Sequence, residues 1–147
     1  MPDYQKVLAY VVRLDKSGDL ELLVFTHSDQ PEAGLQVPAG TVDDGETPEL
    51  AVVRELEEES GLRDIPLVGL IDRYSWTHPT TGNRHHRNVF HFEAGADLPA
   101  KWEHRATGSA EEEGLTFCFE WMPIGKATRL LTASQGQSLS RLTKVTR

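Results

Sequence analysis

Apolar residues along the chain fall into short, strand-sized runs, and one stretch between them follows a different rhythm. Residues 6–14, KVLAYVVRL, are rich in β-branched and aromatic side chains and predict a strand. DKSGD, residues 15–19, is a turn signal. Residues 20–27, LELLVFTH, then predict the second strand of a hairpin. SDQPEAG reads as loop, and LQVPAG as a short extended piece ended by Pro38 and Gly40. Further on, IPLVGLIDRYSW (65–76) and NVFHFEA (88–94) predict two more strands. The turn residues of HPTTGN lie between them, which suggests a hairpin. The polar stretch DLPAKWEHRATGSAEEEG (97–114) predicts loop. In LTFCFEW, Leu115, Phe117, Phe119 and Trp121 alternate onto one face, the mark of a half-buried strand. The tail from Gly125 to about Thr143 predicts one helix or two short ones, with the Ser/Gln/Gly stretch at 134–138 interrupting it.

The exceptional stretch is GTVDDGETPELAVVRELEEESGL, Gly40 to Leu62. Thr47 is placed to cap a helix, Pro48 to occupy its first position and Gly61 to close it. At 100° per residue, Val52, Val53 and Leu56 gather on a face suited to a core. Glu55, Glu58 and Glu59, spaced i, i+3, i+4, share another face, while Glu57 points away toward solvent. Charge runs on helices are commonly solvated faces. Three carboxylates converging in a cleft, however, repel one another by several kcal/mol at intermediate dielectric. A hard divalent cation offsets that repulsion, and an all-oxygen donor set suits Mg²⁺ or Mn²⁺. The glycine-rich loop ahead of the helix could bring backbone oxygens to the same ion, or let a phosphate approach closely. Strands on both sides of a central helix, with helix again at the end, predict an α/β fold: a mixed sheet covered by helices.

Size and charge narrow the picture. The chain has 147 residues, enough for one domain with a real core, taken here as residues 1–147. The longest apolar run, Val7 to Val12, is far short of the ~20 residues that cross a bilayer, and MPDYQKVLAY has no signal-peptide pattern. Cys118 is the single cysteine, so no internal disulfide forms. A cytoplasmic location is the default expectation. The net charge of −8, from 23 acidic and 15 basic residues, argues against a nucleic-acid binder. A small phosphorylated substrate remains compatible, given local positive charge from a metal or from clustered Arg and His.

Written as a spacing, the exceptional stretch is Gly40, five residues, Glu46, seven residues, then Arg54-Glu55-Leu56-x-Glu58-Glu59-x-Gly61-Leu62. This resembles the Nudix hydrolase signature at every defined position. The resemblance implies a Nudix-type α/β/α sandwich. It also implies a hydrolase that uses Mg²⁺ or Mn²⁺ and water to cleave the pyrophosphate linkage of a nucleoside diphosphate joined to a further group X. X could make the substrate a nucleoside triphosphate, a dinucleotide or a nucleotide sugar. By the same resemblance Glu55, Glu58 and Glu59 are metal-binding carboxylates, and the one at the Glu55 or Glu59 position can double as the base. The Ala39 carbonyl is implied as an extra ligand. Glu46 and Arg54 are implied as a structural pair that, with Gly40 and Gly61, supports the box. Some family members add an acidic residue from a later loop, and SAEEEG offers Glu111, Glu112 and Glu113, of which Glu112 is chosen.

The box does not name X. In THPTTGNRHHRNVFHF, Arg84, His86 and Arg87 are candidates to hold a phosphate, since Arg forks match phosphate oxygens. Trp76 is a candidate to stack on a base. His27 and Cys118 read as structural. The alternative to an enzyme is a Nudix module that binds or senses nucleotides without cleaving them. No box glutamate is lost and no attached regulatory domain is visible in the sequence, which favours the enzyme. Oligomeric state is left open, a homodimer being compatible.

Overall fold

Strand β1 (Asp3–Leu14) is the hub of the sheet because its residues are apolar on both faces. From Val7 to Val12 every residue is at most 1% exposed. Val7, Ala9 and Val11 join one core cluster, and Leu8, Tyr10 and Val12 the other. The structure, a computed structural model, describes residues 3–108 and 113–142. After β1 come β2 (Leu20–His27), β3 (Ala39–Thr41), α1 (Pro48–Ser60), β4 (Leu67–Thr77), β5 (Arg84–Glu93), β6 (Lys101–Arg105), β7 (Thr116–Pro123) and α2 (Ile124–Leu130). Short 3-10 turns occupy Pro31–Ala33 and Leu139–Arg141.

The sheet order is β4-β5-β1-β2-β7-β6, with β3 also paired to β1. β1 and β5 run parallel from Asp3 and Arg84 to Val12 and Glu93. The other pairings are antiparallel, so the sheet is mixed. On its far edge β1 meets β3 at Lys6–Leu8 and β2 only from Val12 onward. The gap is bridged where the Ala9 N–H donates to the Pro38 carbonyl (2.8 Å). α1 covers one face through Ala51, Val52 and Leu56. Ala127 of α2, with Leu139 and Leu142, covers the other. The result is an α/β/α sandwich, as the sequence predicts.

Three local expectations are corrected. Residues 97–114 are not all loop, since Lys101–Arg105 form β6 against β7. Trp102 supplies the reason: it stacks on Phe119 at 5.2 Å and donates its indole N–H to the Ser60 carbonyl. The strand expected at 88–94 starts earlier, at Arg84, so RHHR is the opening of β5. Val53, projected onto the core face of the helix, is 46% exposed. The tail resolves into the two-piece alternative, α2 and the later 3-10 turn. Strand β4, at one end of the sheet, pairs with β5 through two register irregularities, at Leu67/Gly69 and Leu70/Asp72.

Candidate active site

α1 starts and stops on its own sequence. The Thr47 hydroxyl accepts the Leu50 N–H (3.2 Å), satisfying a donor with no partner inside the helix. Pro48 fills the first position, where no N–H is needed. Gly61 ends the helix at φ 80°, in the left-handed region, and its N–H reaches the Glu57 carbonyl (2.8 Å). A side chain at Gly61 would also stand 2.9 Å from the His104 ring, so β6 packs directly on the helix end.

The Arg54 guanidinium organises the acidic side chains. Its Nε and Nη2 donate to the two Glu46 carboxylate oxygens (2.8 and 2.9 Å), a bidentate fork. Nη2 also donates to the Thr41 carbonyl (3.0 Å), and Asp43 lies 3.5 Å away. Nη1 donates to both Glu55 Oε2 and Glu58 Oε1, each at 3.1 Å. Hydrogen bonding from Arg54 holds Glu46 down at about 2, and the same bonding holds Arg54 above the ordinary arginine range. The Glu59 Oε1 accepts the Ala39 N–H (2.9 Å).

Two glycines let the carboxylates seat against backbone. A Cβ at Gly40 would collide with the carboxylate of Glu55, and one at Gly108 with that of Glu58. Gly108 has φ 88°, and its neighbour Thr107 donates its N–H to the Glu58 carbonyl (3.1 Å). The loop after β6 thus closes on the helix at Glu58. Glu55 and Glu59 are 5% and 1% exposed, so these are not solvated charges. Glu57, by contrast, pairs with Arg63 at the surface.

The three carboxylates do not all meet at one point. Among the described residues, no three His, Cys, Asp or Glu side chains are disposed to hold a metal ion. Arg54 draws Glu55 and Glu58 to itself, and the Ala39 amide draws Glu59. The donor chemistry nonetheless fits a hard divalent cation. The side chains are all carboxylates, each with more lone pairs than the bonds named here use, and Glu55 and Glu59 sit beside the backbone of β3.

The four residues expected at the substrate divide between the faces of the sheet. In β4 and β5 alternate residues face opposite ways. Arg84 and His86 fall on the α1 face, where His86 lies 3.0 Å from Ser75 Oγ and 3.4 Å from Asp3. His86, Arg73, Asn88 and Gln5 line a cleft of about 490 Å³ there, which reaches Pro48 and is also bordered by Tyr74 and Arg87. Arg87 and Trp76 fall on the α2 face, with the guanidinium 4.4 Å from the indole centroid. Arg87 is only 5% exposed and donates to the Ala133 carbonyl. His85 meets Trp76 edge-on at 5.2 Å. Burial, then the nearby Lys6 and Arg87 charges, lower His85 to about 4. Glu111 and Glu112 lie outside the described residues. Sequence reasoning missed Gly108 and Thr41, whose parts are set by contacts between distant segments.

A family model described as "NUDIX domain" matches residues 5–142. Over 75 residues the chain is 36% identical to an 8-oxo-dGTP diphosphatase of Haemophilus influenzae, covering 51% of this chain and 54% of that one. Over 49 residues it is 47% identical to an RNA pyrophosphohydrolase of Rhodospirillum rubrum, covering 33% and 29%. The matched segments thus span about half or less of these relatives' own lengths. The solved structure of a C. elegans Ap4A hydrolase superposes with a TM-score of 0.70 at 19% identity, covering 97% of each chain. That likeness is one of fold.

Proposed function

Since the chain belongs to the NUDIX family, we propose that it is a hydrolase that cleaves the pyrophosphate linkage of a nucleoside diphosphate joined to a further group, using water and a divalent metal. The observation that carries this reading is the box itself: complete in sequence, and folded so that glycines 40 and 108 seat Glu55 and Glu58 against backbone. A solvated acidic helix needs neither glycine.

Each residue has a task in this reading. Glu55, Glu58, Glu59 and the Ala39 carbonyl would hold Mg²⁺ or Mn²⁺, which when bound supplies charge neutralisation for the phosphate oxygens and a more acidic water. Arg54 and Glu46 fix the loop before the helix to the helix itself through the bidentate fork. Glu59 is assigned the proton of the attacking water. Its Oε1 accepts the amide next to the implied Ala39 ligand, which supports a carboxylate at the metal's edge, and a base must lie within reach of the metal's water. Trp76, backed by Arg87, offers a ring on which a base can stack. The net charge of −8 favours a small nucleotide over a polynucleotide.

The test is product release from a panel of nucleoside triphosphates, dinucleoside polyphosphates, nucleotide sugars and capped RNA, with Mg²⁺, with Mn²⁺ and with chelator. Metal-dependent cleavage of one class is expected, and it names the leaving group. Folded, metal-loaded protein that binds nucleotides yet cleaves none of the panel would overturn the enzyme in favour of a binding module.

A further inference from the structure

The segment from Leu131 to Ser138 has almost no regular structure, yet it is tightly held. Ala133 and Ser134 are non-glycine residues with φ of 53° and 58°, a strained pairing that persists only where surroundings enforce it. The carbonyls of three successive residues each accept a side-chain donor. Arg87 donates to Ala133, the Tyr74 hydroxyl to Ser134 (2.7 Å) and the buried Tyr10 hydroxyl to Gln135. Ser138 is tied to Asp72 Oδ2 (2.6 Å). Four anchors from β1, β4 and β5 thus hold one turn in a single shape.

What that shape presents is the side chain of Gln135. It is 6% exposed, and its Oε1 accepts the N–H of Val37 (2.8 Å), a residue with no exposed surface. Val37 stands two residues before Ala39. Its neighbours are fixed as well: Gln36 pairs with Phe25, and the Pro38 carbonyl accepts from Ala9. Ala39 in turn donates its N–H to Glu59 (2.9 Å). A continuous path of hydrogen bonds and two peptide units therefore runs from Tyr10 through Gln135 and Val37 to the Glu59 carboxylate.

We propose that Gln135 is a positioning residue for Glu59: by holding the Val37 N–H it sets the peptide of Ala39, and through it the orientation of the carboxylate. The proposal rests on the hydrolase reading for its consequence in turnover, but not for its geometry. The Gln135 carboxamide oxygen is bonded to the Val37 N–H, and it acts through the backbone of the 35–39 segment. A positioning shell of this kind costs roughly 10–100-fold in activity when removed.

The test compares two substitutions of similar volume in the full chain. Gln135→Met removes the acceptor, and Gln135→Glu keeps it. With both variants shown to be folded, amide resonances of Val37 and Ala39 are followed by NMR alongside kcat and KM. Gln135→Met is expected to move both resonances, speed exchange of the Val37 amide and lower kcat roughly 10–100-fold with KM changed less than about threefold. Gln135→Glu is expected to restore the Ala39 resonance and most of kcat. An unmoved Ala39 amide in Gln135→Met, or equal losses in both variants, overturns the proposal. If the wild-type chain cleaves nothing, the hydrolase reading fails, and the Ala39 resonance alone still decides whether Gln135 sets that peptide.

Discussion

The Arg54 guanidinium sets the acid sensitivity of Glu46. In the folded chain this carboxyl is lowered from 4.5 to about 2, chiefly by hydrogen bonding from Arg54. The folded state therefore binds this proton more weakly than the unfolded state. The stabilisation is complete above about pH 4.5 and drains as pH falls toward 2. In chemical denaturation followed from pH 5 downward, the wild type is expected to lose stability across that window, and Glu46→Gln is expected to show a shallower fall. At Glu59 the expectation concerns turnover. Gln keeps an oxygen for the Ala39 N–H but cannot take a proton, so Glu59→Gln should lower kcat about 10²–10⁴-fold with an unchanged melting curve. A fully active variant would sink the assignment. The glutamates, Glu46 and Arg54 were legible because the box fixes them by spacing. The fork of Arg54 onto Glu55 and Glu58 was not, since a motif names residues and not which carboxylate a guanidinium reaches.

At the scale of elements, α1 is the best read and β6 the worst. Thr47 and Gly61 act through bonds to residues three or four positions away, and Pro48 through its own ring, so all three can be seen in a sequence. Thr47→Ala is expected to cost about 1 kcal/mol, measured as a fall in the denaturation midpoint with an unchanged slope. An unaltered midpoint would mean that packing alone fixes the helix start. β6 is short and polar, and Trp102 against Phe119 and Ser60 anchors it in its pairing with β7. The substrate candidates show a related limit. Arg84, His86 and Arg87 are near neighbours in sequence, but strand alternation sends Arg87 to the opposite face.

For the whole molecule, β1 is the common wall of two cores, one under α1 and one under α2 and the residues that follow it. The second core closes late in the chain, with Leu139 and Leu142 fully buried. Leu139→Ala is expected to destabilise the protein by about 2–5 kcal/mol, read from denaturant melts, and a loss under about 1 kcal/mol would show that this core relaxes around the gap. That closure was hardly legible, because the contacts of residues 131–142 reach back to β1, β4 and β5 across most of the chain. The two irregularities in β4 matter at this scale too. An outer strand with evenly spaced amides and carbonyls is a template on which another molecule can lay its own strand. By breaking that spacing twice, β4 makes a poor template, and concentrated solutions of the protein should resist growth into ribbons along that border.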